Sequence, residues 1–169
     1  MRIGIVGPTK ISAFCNRIGK SKKRYFSVVR KIAEFLTKHE LVIVPDKGSL
    51  AEFVAQAYHT SGGKKVMGVV PKKDKEFGIS WLNLKICDKI IDCSTWRNSP
   101  EVFDEVSDVL LVFGLGAGAM IEIGYTKWWE RPVIILKEFI SSKLPKEIER
   151  ELNIHYVSAK GLSKKLKQL

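Results

Sequence analysis

Three glycines at alternate positions, Gly114, Gly116 and Gly118, follow directly on the apolar run Val109–Phe113. A run of that length and β-branched content suits a strand buried on both faces of a parallel sheet. Glycines placed straight after it let the backbone turn tightly and approach a ligand with no Cβ in the way. A helix opening near Ala119 would then aim the free amides of its first turn, Ala117 and Gly118 among them, at the same point. Such a cradle suits an anion, above all a phosphate. Glu122, expected in the first turn or so of that helix, is favoured there by the helix dipole but would repel a phosphate set beside it. A second junction of the same kind lies at Gly48 and Ser49, where Ser49 and Glu52 make a capping-box pattern. Its amides form a candidate second phosphate contact.

The elements that must position these residues can be read in order. Ile3–Gly7 is a short strand running into Gly-Pro-Thr, which makes Gly7 the start of a ligand-side loop. Lys10–Lys23 is polar and basic. Phe26, Val29, Ile32, Ala33 and Leu36 recur at helical spacing between Arg24 and Lys38. Strand Leu41–Val44, a helix through Tyr58 and strand Lys65–Val70 follow. Lys72–Leu84 is charged and irregular, a loop that can cover a site. Lys89–Asp92 is a short strand, and Ser99 as N-cap with Pro100 after it opens a helix through Val106. After the glycine loop, a helix carries Ile121, Gly124, Tyr125 and Trp128 on one side until Arg131-Pro132 breaks it. Those aromatics are expected to pack on the core or on a partner subunit. Strand Pro132–Leu136, helix Leu144–Leu152, strand Ile154–Val157 and a lysine-rich helical tail complete the pattern. Strands alternating with helices predict an α/β, doubly wound, mainly parallel sheet with helices on both faces, and ligands in such sheets bind where strand order reverses. The loops after Val6, Val44, Asp92 and Phe113 are expected to gather there.

The whole chain narrows the classes further. Its 169 residues suit one domain spanning 1–169. With 45% hydrophobic residues and no apolar run near the ~20 needed to cross a bilayer, no membrane span is expected. No signal peptide is read at the N-terminus, so a cytoplasmic location is the expectation. Cys15, Cys87 and Cys93 lack metal-type spacing and read as buried thiols, and no metal is expected. His39, His59 and His155 are isolated. The net charge of +11 would suit an anionic partner. Its lysines and arginines are scattered, however, with no interleaved aromatic stripe, so nucleic acid is a disfavoured partner and a solvated basic surface the favoured reading.

Taken together, Gly48 with its helix, Ser61 to Pro71, Arg97-Asn98 ahead of a helix, Ser107-Asp108 heading the central strand, Gly114 to Glu122 and Arg131 to Leu136 resemble the lysine-decarboxylase-like or Lonely-guy family. That Rossmann-like group also includes molybdenum-cofactor carrier proteins and DNA-processing protein A. The resemblance spans nearly the whole chain and implies a nucleotide site and a homodimer. Against the family motif GGxGTxxE, Gly116, Gly118 and Glu122 match. Leu115 and Ala119 stand where the family has glycine and threonine, departures that favour the alternative the resemblance also implies, a non-catalytic nucleotide- or cofactor-binding carrier module. In its phosphoribohydrolase members an arginine and the motif glutamate release base from a nucleoside 5′-monophosphate, which maps catalysis onto Arg97 and Glu122. The chemistry is sound, because cleaving an N-glycosidic bond builds positive charge on the sugar that a carboxylate stabilises. Asn98 occupies the next position, lysine in many hydrolases, and joins the ligand-binding candidates. A surface ion pair with Glu101 or Asp104 is the rival role for Arg97. The spacing Gly114-x-Gly116-x-Gly118, with Glu138 further on, imitates a dinucleotide fingerprint. Its third glycine falls one residue early, so no nicotinamide or other cofactor is expected.

Overall fold

In a computed structural model describing residues 1–169, seven strands form one parallel sheet: β1 (Arg2–Val6), β2 (Glu40–Ile43), β3 (Val66–Val70), β4 (Lys89–Asp92), β5 (Val109–Val112), β6 (Val133–Leu136) and β7 (Ile154–Val157). Their spatial order is β4-β3-β2-β1-β5-β6-β7. The chain therefore winds outward from β1 in one direction, returns, and winds outward in the other from β5. Order reverses between β1 and β5, whose register pairs Ile3 with Val109 and Val6 with Val112. This is the Rossmann-like, doubly wound arrangement the sequence predicts.

The buried strands carry the fold. All four residues of β5 and of β6 are buried, as a sheet covered on both faces requires. Alternation divides their side chains between two cores. Ile3, Ile5, Leu111, Phe113 and Ile134 face helices α1 (Ile11–Arg17), α2 (Lys22–Phe35), α3 (Leu50–Thr60) and α7 (Leu162–Leu166). Val6, Leu110, Val112, Val133 and Ile135 face α4 (Ser99–Val106) and α5 (Ala117–Trp129), with α6 (Lys146–Glu151) further along. At ~25 cal/mol per Å² of apolar surface, each fully buried Val, Leu or Ile contributes roughly 1.5–3 kcal/mol.

Several expectations shift. Lys10–Lys23 is more than a polar linker, because α1 lies within it and buries Ile11, Phe14 and Cys15. Ser99 is the first residue inside α4, with helical φ and ψ, and Asn98 precedes it as the capping position. The loop 71–84 covers the ends of β2 to β4: Lys47 donates its amide to the Trp81 carbonyl, Asn83 donates to Pro45, and Asp46 bridges Leu82. The side of α5 bearing Ile121, Gly124 and Trp128 points outward, and Ile121 is 54% and Trp128 75% exposed. The inward side carries Ala119, Ile123 and Thr126. Helical spacing reveals a stripe but not which way it faces. No helix is long and apolar enough to cross a membrane.

Candidate functional site

The crevice at the reversal point is made of two loops. Gly7, Pro8, Thr9 and Lys10 come from the end of β1, and Gly114 to Ala119 from the end of β5; Phe14 and Arg17 of α1 close it, giving a volume of about 210 Å³. Its charged lining residues are Lys10 and Arg17, with no carboxylate among them. It thus favours an anion.

The glycines divide by role. Gly114 has φ +146, and a Cβ there would sit 2.2 Å from the Phe14 ring; a Cβ on Gly7 would sit 2.0 Å from Leu50. Both are demanded by the fold. At Gly116 and Gly118 a Cβ would meet nothing within 4 Å, and neither has a positive φ. Their backbones face open space. The amides of Gly114, Leu115 and Gly116 donate to no acceptor in the chain, and the next intrahelical bond runs from Met120 to the Gly116 carbonyl. Ala117, Gly118 and Ala119 form the first turn of α5, where no intrahelical acceptor exists. No side chain caps this helix, since Gly116 is its N-cap. A continuous run of donors from Gly114 to Ala119 therefore opens on a cationic crevice. Leu115, half-buried, packs against the α4–α5 core.

Gly48 and Ser49 are arranged differently. The Gly48 amide donates to Glu52 Oε2 at 2.7 Å, and Ser49 Oγ accepts from the Glu52 amide at 3.2 Å. The Ser49 amide donates to Asp46 and the Leu50 amide to Pro8. The amides of this junction are thus occupied from within. Gly48, with φ +75, borders a shallow groove next to the crevice, shared with Thr9, Lys10 and Lys22.

Glu122 lies in the second turn of α5, not the first, because the helix opens at Ala117. It is half-buried and does not line the crevice. Burial, reinforced by nearby Asp46, raises its pKa to about 8. Asp104, fully buried on α4, is likewise raised to about 8 by burial and then by repulsion from Glu122, with Arg131 pulling the other way. Both Asp104 carboxyl oxygens and one of Asp46 are buried without hydrogen-bond partners. At neutral pH Asp104 and Glu122 therefore hold their protons, and Glu122 presents a carboxylic acid.

Arg97 is engaged elsewhere. Its segment, Trp96–Asn98, joins β4 to the start of α4. Its guanidinium pairs with Glu76 at 3.0 Å while 79% exposed; the partner is neither Glu101 nor Asp104. Asn98 is exposed beside it. Trp96 donates its ring N–H to the Gly78 carbonyl and stacks on Trp81 at 5.6 Å, holding this corner against loop 71–84. Asp74 helps by accepting from the Phe77 and Trp96 amides, bonds that hold its carboxyl below the usual range.

Lys10, Phe14 and Arg17 escaped the sequence reading as site residues. The signal was present: Ile11, Phe14, Cys15 and Ile18 repeat at helical spacing within the basic stretch. The cysteines are free, and no cluster of three or more His, Cys, Asp or Glu residues is placed to hold a metal.

The sheet order and the crevice at its reversal point define the class: a Rossmann-like α/β protein with a glycine loop at the switch point. The chain belongs to the SLOG cluster4 family, LDcluster4, which matches residues 1–163. The fold is similar to that of the molybdenum cofactor binding protein from the phototrophic bacterium Rippkaea orientalis, with TM-score 0.73, 17% identity and coverage of 99% of this chain and 95% of that one. It is also similar to the Moco carrier protein from Chlamydomonas reinhardtii, with TM-score 0.74, 16% identity and coverage of 99% and 95%. TM1055, a structural-genomics target, aligns with TM-score 0.71, 19% identity and coverage of 99% of both chains. No curated protein matches the chain in sequence.

Proposed function

We propose that the chain binds a nucleotide or nucleotide-like phosphate ligand, its phosphate seated over Gly114 to Ala119, and holds that ligand without turning it over. The observation that carries this reading is the run of acceptor-less amides opening on a crevice whose only charges are Lys10 and Arg17. Two features of the other candidates support binding without turnover. Arg97 is engaged with Glu76, and Glu122 is protonated at neutral pH, where it cannot stabilise a developing sugar cation as a carboxylate would. Two proteins of this fold are described as binding or carrying the molybdenum cofactor, which makes that molecule a candidate cargo beside the nucleotides. Inorganic phosphate, a panel of nucleoside monophosphates and the molybdenum cofactor are to be compared by calorimetry and thermal shift. Saturable binding by at least one, with no free base released on incubation, is the expected result. No stabilisation by any of them would overturn the reading.

A phosphoribohydrolase is the second reading, favoured by one observation. An acid with pKa about 8 is poised to protonate a departing base near neutral pH. Free base appearing from a nucleoside monophosphate, and lost in Glu122→Gln, would establish it over the first.

The ligand-holding unit is proposed to be a homodimer through the outward face of α5. Ile121, Tyr125 and Trp128 form an apolar stripe there, and Gly124 between them admits a second helix closely. Light scattering on the wild type and on Trp128→Lys tests it; a monomeric wild type would refute it.

A further inference from the structure

A cavity of about 550 Å³, more than twice the volume of the glycine-loop crevice, lies between α2 and the segments that follow β6 and β7. None of the motifs carrying the family resemblance contributes to it. Its inner wall is apolar, built from Tyr25, Ile32, Phe139 and Leu162, all buried. Its mouth carries four cations, Lys20, Arg24, Lys31 and Lys160, and each of these is exposed. The single acid, Glu138, does not offset them. Its Oε1 accepts from the Ala159 amide at 2.9 Å and its Oε2 is enclosed by protein, so the carboxylate is turned into the fold.

An apolar chamber of this size with polar groups confined to one side is the ordinary form of a small-molecule site. Because the exposed charged groups at its mouth are all cationic, the molecule they suit has a flat or branched apolar body and one anionic head. The walls are rigid. Tyr25 donates its hydroxyl to the Phe113 carbonyl at 2.9 Å and packs against Phe139 with ring centroids 4.6 Å apart. On the other side Tyr25 meets Phe14, the ring beneath Gly114, at 5.8 Å. Two aromatic side chains thus separate this cavity from the phosphate crevice, and each can be filled while the other is occupied.

We propose that this cavity is a second ligand site, for an amphipathic organic anion, independent of the glycine loop. The probe is 8-anilinonaphthalene-1-sulfonate, with neutral N-phenyl-1-naphthylamine as its uncharged counterpart, both read by fluorescence in saturating inorganic phosphate. The sulfonate is expected to bind saturably at a single site, and the neutral amine at least about tenfold more weakly, a difference of ~1.4 kcal/mol. Arg24→Glu combined with Lys160→Glu, both surface changes, is expected to weaken the sulfonate by about tenfold or more. Val28→Trp, which fills the chamber, is expected to abolish binding. Equal binding of the two probes would overturn the proposal, since it would report an apolar surface only. So would binding that survives the double charge reversal unchanged, which places the probe elsewhere, such as on α5. Should Val28→Trp not fold, the charge-reversal pair decides alone. Loss of phosphate binding in a glycine-loop variant leaves these outcomes untouched, so this inference and the phosphate reading fail separately.

Discussion

The chain contains two strand–glycine–helix junctions that look alike in sequence and do opposite things with their amides. After β2, Gly48 and Ser49 lead into α3, and Glu52 reaches back to the Gly48 amide while Ser49 caps the Glu52 amide. After β5, Gly114 to Gly118 lead into α5 with no capping side chain, and the amides stay open. The distinction is chemical. A serine and a glutamate three residues apart close a helix start on itself. Glycine and alanine leave the same start dependent on something from outside. A glycine between strand and helix is thus not by itself a ligand signal; the residues able to cap decide it.

The sharpest way to break this comparison is to remove the backbone shape of the open junction. Gly114→Ala forces a residue with a Cβ into φ +146 and brings that Cβ within 2.2 Å of Phe14. Strain of ~1–3 kcal/mol and overpacking of a similar size combine to roughly 2–6 kcal/mol of lost stability. Chemical denaturation should show it, with phosphate affinity falling as the loop distorts. Gly116→Ala, whose Cβ meets nothing, is expected to leave stability within about 1 kcal/mol of wild type.

Charge gives the next largest effect. Gly118→Asp fits sterically and places a carboxylate in the first turn of α5, where the helix dipole stabilises it by about 0.3–1 kcal/mol. The same carboxylate occupies the phosphate position. Binding of inorganic phosphate should weaken by more than about tenfold while the melting temperature holds or rises. Loss of binding without loss of stability is what separates a ligand site from a structural loop. A variant that binds phosphate as well as wild type would remove the glycine loop from the site.

Beneath the open junction lies a pair of acids, Asp104 on α4 and Glu122 on α5. Asp104 ionises near its ordinary 3.8 when unfolded but only near about 8 in the fold, where burial and Glu122 oppose its charge. The folded state therefore holds the proton between those values. Stability from this group is full at acid pH and declines as pH rises toward about 8. Asp104→Asn mimics the protonated form at every pH. Its melting temperature should fall less than that of wild type between pH 5 and pH 8, by about 2–4 °C for each kcal/mol removed. Parallel melting curves would mean that Asp104 ionises freely in the folded chain.

Much of the fold was legible because buried parallel strands announce themselves. Val109–Phe113 and Lys89–Asp92 could be read as strands from apolar runs between turn residues, and the reversal point follows from their alternation with helices. Among the site candidates, Gly7, Gly114, Gly116, Ala117, Gly118 and Ala119 meet in one crevice, while Ser49, Arg97, Asn98 and Glu122 lie outside its lining. What sequence could not supply is the partner each side chain meets. Arg97 and Glu122 stand only 25 positions apart along the chain, yet the Arg97 guanidinium pairs with Glu76 of loop 71–84 while Glu122 sits beside Asp104 of α4. The outward face of α5 was hidden for a related reason, since an apolar stripe is the same string of residues whether it meets a core or solvent.

The smallest expected effect is the most direct test of why the junctions differ. Glu52→Ala opens the closed one, freeing the Gly48 amide and releasing the Asn83 amide group that Glu52 Oε1 holds at 2.6 Å. Loss of such a cap destabilises by about 0.5–2 kcal/mol, measurable by denaturation. Phosphate stoichiometry should stay as in wild type, because the Ser49 amide still donates to Asp46 and the Leu50 amide to Pro8, leaving one free donor where the open junction has a run of them. A second phosphate bound by Glu52→Ala would show that one carboxylate alone had kept the two junctions apart. An unchanged stoichiometry with lowered stability would show that the whole course of the backbone, from Asp46 to Leu50, closes the first junction, and that the loop from Gly114 to Ala119 is open because no part of the chain returns to it.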